Sequence, residues 1–198
     1  HVVDVWTGQL AIVDPRENQK CWEATILFRH PVLDLAILCV EDFEPGMVLH
    51  PAQDLAIISS TSVFCLDYST FKPIVASEAF GKDRWIFNPA TRIGNITRKL
   101  SSEDLHGTPW AARMGDDALE LSFPALRGAS GAPVTLSTTN QLAGIVVANI
   151  DYHALPIQVF TALDEKNEII EETKYYVPQA IAINARHVGE ALLKVALE

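Results

Sequence analysis

Arg127-Gly128-Ala129-Ser130-Gly131-Ala132-Pro133-Val134 sets a serine between two glycines, after one alternating apolar run and before a second. Two readings fit the string by itself. One is a glycine-rich β-turn joining two strands. The other is the seat of a nucleophile, a hydroxyl projecting from a tight bend with backbone N–H groups converging beside it. Glycine permits that arrangement because it adopts φ > 0 and lets a substrate approach the main chain closely. In the second reading the N–H groups of Gly128 and Ser130 form an oxyanion hole. The string leaves both readings open, and the rest of the chain must decide between them.

Outward from the serine the texture is β. Leu119–Phe123 alternates upstream of it; downstream, Val134–Leu136 leads to a turn at Thr138-Thr139-Asn140, and Leu142–Ile150 is a strong strand pattern. Ile157–Leu163 and Glu168–Val177 flank Asp164-Glu165-Lys166-Asn167 and predict a long hairpin with a solvated acidic tip, and Ala180–Ile183 is a further strand. Ala185–Leu197 has helical spacing, with Val188, Leu192 and Val195 on one face. Upstream, Ile74–Phe80, Trp85–Phe87 and Gly94–Lys99 are strand candidates, whereas Ser101–Gly115 is polar and aperiodic and predicts a surface loop. Nearer the start, Gln9–Val13, Cys21–Phe28 and Leu35–Val40 form a meander. The last of these is continuously apolar, as a strand buried on both faces would be; Leu55–Ser59 and Val63–Leu66 follow. Many short strands with frequent turns and one terminal helix predict an all-β barrel or sandwich, between which periodicity does not choose. A break near Lys72 divides the chain into 1–71, 72–184 and a helix at 185–198.

Composition narrows the function. Hydrophobic residues make up 48% and charged residues 20% of the 198, which excludes wholesale disorder. A net charge of -10 argues against a nucleic-acid or anionic-membrane partner. No apolar run approaches a membrane span. Cys21, Cys39 and Cys65 form no C-x-x-C pair and are expected to be reduced, which points to a cytoplasmic setting. None of the six histidines stands at a metal-ligand spacing, so neither metal nor cofactor is expected. His30 precedes Pro31 in a turn and is expected to be structural, and His187, one step before Val188, is expected to be exposed.

A nucleophilic serine needs a base, and the base needs an orienting carboxylate. The notable acid is Asp34, in His30-Pro31-Val32-Leu33-Asp34-Leu35-Ala36-Ile37-Leu38, at the mouth of the most apolar strand. An acid placed there requires a partner. From spacing alone it is equally a turn aspartate capping the backbone.

This segment resembles the aspartate segment of trypsin-like serine proteases, particularly the bacterial HtrA-type branch. Gly128-Ala129-Ser130-Gly131-Ala132-Pro133 resembles that family's nucleophile motif, and His1-Val2-Val3 resembles its catalytic histidine segment. Arg92–Ile96, Gly144–Ala148 and Tyr176–Ile183 followed by a helix resemble later parts of the family, in the same order. The resemblance implies two antiparallel barrels with the site in the cleft between them, 1–71 being the remainder of the first barrel and 72–184 the second. It implies Ser130 as nucleophile, His1 as general base and later acid, and Asp34 as the group orienting the imidazole. The Gly128 and Ser130 N–H groups would bind the oxyanion. The implied activity is that of a serine endopeptidase acting on a protein or peptide substrate; the alternative is a catalytically silent trypsin-like fold serving as a binding or scaffold module.

Three departures qualify the match. If His1 is the catalytic histidine, the family's preceding strands are missing and the first barrel is expected to be incomplete. Ala132 replaces the usual second glycine, which would strain the bend if that position needs φ > 0. Ala129 removes the carboxylate that pairs with a new N-terminus in zymogen-type relatives. The resemblance further implies a specificity pocket lined by Pro124, Val147, Ala148 and Asn149, with Ala180 or Ala182 nearby. None is charged, so a small or medium aliphatic side chain is the expected occupant.

Overall fold

A computed structural model describes residues 10–14, 20–53, 57–69, 72–74, 84–86, 89–153, 159–163, 169–174 and 176–197. Leu10–Asp14 (β1), Lys20–Arg29 (β2) and Ala36–Val40 (β3) pair in that order as an antiparallel sheet. The turn between β2 and β3 is set by His30, whose Nδ1 accepts from the Val32 and Leu33 N–H groups at 3.2 and 2.9 Å. The imidazole acts there as a backbone cap. Cys39 stands opposite Thr25 and Cys21 opposite Val13, so the two cysteines do not face each other across the hairpin. β3 lacks the two-sided burial its apolar run suggests: all five residues are half-buried, and among the described residues β3 is an edge strand of the three-stranded sheet.

Among the described residues, ten more strands and one helix follow. They are Ser62–Asp67 (β4), Lys72–Ile74 (β5), Arg84–Ile86 (β6), Ala90–Leu100 (β7), Ala118–Leu121 (β8), Pro133–Leu136 (β9), Leu142–His153 (β10), Val159–Leu163 (β11), Ile169–Lys174 (β12), Tyr176–Asn184 (β13) and the helix Ala185–Leu197 (α1). β10, β13, β8, β7, β4 and β9 close into an antiparallel barrel. The barrel therefore starts before residue 72, where the sequence pattern had placed its beginning. β4 is a stave bonded on both sides, with Val63 opposite Gly94 of β7 and opposite Leu136 of β9. Its alternation turns Val63 and Cys65 into the core and leaves Leu66 outside. β5 and β6 form a small sheet of their own, and β11 pairs with β12 as the hairpin pattern predicts.

Close approach of β10 to β13 needs a glycine, since a Cβ on Gly144 would lie 2.5 Å from the Ile183 carbonyl oxygen. Residues 101–117 are irregular, as expected, yet Leu105 and Met114 within them are fully buried. The stretch is clamped at one end by Asp104, whose Oδ2 accepts from the Ser101 N–H and hydroxyl, both at 2.8 Å. At the other end His187 Nε2 lies 3.1 Å from the Asp116 carbonyl oxygen. That contact leaves the His187 side chain only 13% exposed, contrary to its expected place in solvent. The helix is also turned from its predicted face: it buries Ala185, Val188 and Ala191, while Leu192 is 43% exposed. Alanines let α1 sit closely against β10 and β13, and that contact outweighs the larger apolar area of Leu192.

One carboxylate on the barrel wall carries its own network. Glu120 accepts from the Thr97 and Tyr152 hydroxyls and from Arg98, whose Nη2 is 3.1 Å from Oε2. Burial would raise the Glu120 pKa, but these donors outweigh it and hold the carboxyl below its usual range. No helix among the described residues is long and apolar enough to cross a membrane.

Candidate active site

Phe123 ends the approach from β8, its carbonyl accepting from the Ala180 N–H at 2.8 Å. The chain then bends through Gly128 (φ +93°) and Gly131 (φ +90°), the left-handed positions on either side of Ser130. Two turn bonds shape the bend: Ala129 N–H to Leu126 C=O at 2.9 Å, and Ala132 N–H to Ala129 C=O at 3.0 Å. Two more attach it to β10: Gly131 N–H to Val146 C=O at 2.8 Å, and Val146 N–H to Ala132 C=O at 3.0 Å. Ala132 is not in the left-handed region, so the alanine there brings no strain. Ala129 is buried at 2% exposure.

Ser130 is half-buried and its hydroxyl donates to the Val147 carbonyl at 3.0 Å. Among the described residues, no protein acceptor takes the N–H of Gly128 or of Ser130. Both donors sit beside the hydroxyl in sequence and are open to a ligand oxygen.

The bend has a polar support. A Cβ on Gly128 would lie 3.5 Å from the Ser69 Cα, so the main chain there packs against the turn leaving β4. That turn is held by Asp67, 1% exposed, which accepts from the Ser69 N–H at 2.9 Å, from the Ser69 hydroxyl, and from Arg92 Nε at 2.7 Å. Burial alone would raise the Asp67 pKa; the Ser69 and Arg92 bonds outweigh it, so the carboxyl lies below its ordinary value. The same burial, with Asp67 adding to it, pushes the neighbouring Cys65 thiol up to about 11, which makes it inert as a nucleophile.

In front of Ser130 lies a pocket of about 370 Å³, lined by Trp110, Ala125, Leu126, Arg127, Ser130, Val147, Ala148 and Asn149. Its two main walls are joined. Asn149 Oδ1 accepts from the Ala125 N–H and Asn149 Nδ2 donates to the Ala125 C=O, each at 2.8 Å. Of the residues expected to line a pocket, Val147, Ala148 and Asn149 are brought together with Ser130. Pro124 is half-buried one residue before the wall, which is built instead from Ala125, Leu126 and Arg127. Ala180 and Ala182 are fully buried in the barrel and take no part in the lining.

Four lining residues were not anticipated: Ala125, Leu126, Trp110 and Arg127. Trp110 belongs to an aperiodic loop and carries no sequence signal of its own. Arg127 adjoins the glycine motif, and its nearness to Ser130 in the chain was the available signal. Its presence means the pocket is not free of charge, as had been expected.

Asp34 lies between β2 and β3, half-buried, with its N–H donating to the Arg113 carbonyl at 2.9 Å. Leu33 and Leu35 on either side are buried in the common core at 8% and 9% exposure, which fixes the segment against the 101–117 loop. His1 lies outside the described residues.

No protein-family model matches the chain, and no curated protein matches it in sequence. Solved structures do. A crystal structure of Rv3671c from M. tuberculosis H37Rv, a serine-to-alanine mutant in its inactive form, is 18% identical with a TM-score of 0.50, the match covering 90% of this chain and 67% of that one. A second, of the Rv3671c protease in its inactive form, is 21% identical with a TM-score of 0.48, covering 89% and 68%. At such identities the likeness is one of fold. The chain is mostly β, with a closed antiparallel barrel, a second three-stranded sheet and a C-terminal helix, and it shares the fold of the first of these structures.

Proposed function

We propose that the protein is a serine endopeptidase in which Ser130 attacks the scissile carbonyl, His1 takes and returns the proton, and Asp34 orients the imidazole. The sheet β1–β3 then belongs to the first of two trypsin-like barrels, with the barrel described above as the second. The observation that carries this reading is the bend itself. Ser130 stands between two left-handed glycines at the edge of a pocket, and the N–H groups of Gly128 and Ser130 have no protein acceptor among the described residues. Those donors suit the oxyanion of a tetrahedral intermediate, whose charge they would stabilise without reorganising.

The hydroxyl's bond to Val147 does not oppose this role. A neutral hydrogen bond contributes about 1 kcal/mol net, so a rotation about χ1 towards a base costs little. A small or medium aliphatic side chain suits the pocket, because Val147, Ala148, Leu126 and Trp110 offer it apolar area. The chemistry asks for no cofactor.

A fluorophosphonate probe tests the assignment directly. It is expected to label Ser130 in the folded protein, and Ser130→Ala should abolish the label. A folded protein that takes up no label would point instead to a catalytically silent fold acting as a binding or scaffold module.

A further inference from the structure

Arg127 immediately precedes Gly128 and lines the pocket beside Ser130. It is the single charged residue on that lining, whose other members are alanines, Leu126, Val147, Trp110, Ser130 and Asn149. The side chain is exposed and forms no ion pair among the described residues. Three other arginines are committed to carboxylates: Arg92 to Asp67 at 2.7 Å, Arg98 to Glu120 at 3.1 Å and Arg186 to Asp117 at 3.2 Å. In a chain of net charge -10, Arg127 places an uncommitted guanidinium beside Ser130 on this pocket.

The chemistry of that group limits what it serves. A guanidinium keeps its charge throughout the accessible pH range and presents a planar fork that fits a carboxylate through two parallel N–H···O bonds. It repels a lysine or arginine side chain. The apolar walls suit an uncharged side chain inside the pocket, which leaves the exposed cation to meet the residues flanking that side chain.

We infer that Arg127 determines specificity for acidic peptides, those carrying an aspartate or glutamate within a residue or two of the aliphatic side chain that fills the pocket. The inference rests on the endopeptidase reading and names its substrate class. Arg127 is a substrate-recognising residue here and takes no part in the proton transfers.

The experiment is a matched peptide series with one aliphatic residue for the pocket and Glu, Gln or Lys at the flanking positions. A charge-assisted bond at a partly solvated margin is expected to favour Glu over Gln about tenfold in kcat/KM, with Lys below Gln. Arg127→Ala should bring the Glu-to-Gln ratio to about one, and Arg127→Glu should turn the preference towards Lys. Arg127→Lys, which keeps the charge and loses the fork, should retain part of the ratio. Equal hydrolysis of the Glu and Gln peptides by the unmodified protein overturns the inference, as does an Arg127→Ala protein that keeps the ratio. In both cases the endopeptidase reading stands. If no peptide is cleaved and Ser130 takes no fluorophosphonate in the folded protein, the endopeptidase reading falls and this inference falls with it.

Discussion

The Asn149 carboxamide brackets the main chain of Ala125, accepting from its N–H and donating to its C=O at 2.8 Å each. One side chain on β10 thus fixes the opposite wall of the pocket and, two residues further on, the approach to Gly128. Asn149→Ala removes both bonds and leaves the Ala125 groups to water, at an expected cost of about 1–3 kcal/mol. Asn149→Asp should cost more, since it sets a carboxylate oxygen against the Ala125 carbonyl. Urea unfolding together with the rate of fluorophosphonate labelling checks both, and unchanged stability and labelling in the two variants would rule out the strap.

Asp67 is buried and ionised on the strength of Ser69 and Arg92. Arg92→Ala strands that charge beneath the serine bend, and a loss of about 3 kcal/mol is expected. Removing both partners with apolar replacements should recover much of it. Thermal unfolding of the single and double variants measures the difference.

Because the folded pKa of Asp67 is depressed, its contribution to stability is complete above the unfolded carboxylate value of about 3.9 and disappears as pH falls through the folded value. Glu120 is depressed in the same direction and adds to the effect. Stability should therefore be flat above about pH 5 and decline below it. Asp67→Asn should make the decline shallower without abolishing it. A variant whose acid limb parallels that of the unmodified protein would show that Asp67 does not carry the dependence.

Gly144 has no room for a side chain, with the Ile183 carbonyl oxygen 2.5 Å from where a Cβ would lie. Gly144→Ala must spread β10 from β13 and is expected to destabilise by about 1–3 kcal/mol or more. Denaturant titration gives the value. A neutral result would mean the two strands tolerate separation.

Leu105 and Met114 anchor an otherwise irregular loop, and both are fully buried. Alanine at either is expected to cost about 2–5 kcal/mol, against less than about 0.5 kcal/mol for Leu193→Ala on the helix, where the side chain is 65% exposed. Because Trp110 sits between the two anchors, their loss should also loosen the pocket. Slower Ser130 labelling in Leu105→Ala, at a temperature where the variant is folded, would register it.

Much of this was legible beforehand. The short apolar run Val63–Leu66, the run at Leu142–Ile150, the hairpin pattern at 157–177 and the terminal helix are properties of neighbouring residues, and the strands and helix of the structure follow them. The bend at Ser130 was legible for the same reason, since a left-handed backbone asks for glycine at the position concerned. Partners were not. Nothing local told that β4 would close the barrel between β7 and β9, or that Cys21 and Cys39 would stand opposite other residues.

By itself, then, the sequence determined the all-β class, the run of strands, the turn chemistry around Ser130 and the helix at the end. Each is written in a period of two or of 3.6 residues or in a single glycine, within reach of local sterics. Tertiary structure alone decided which face α1 buries, that Arg92 neutralises Asp67 beneath the bend, and that Trp110 and Arg127 complete the pocket. Those outcomes depend on packing and Coulomb contacts between residues distant in the chain, and only a closed barrel brings them within a few ångströms of one another.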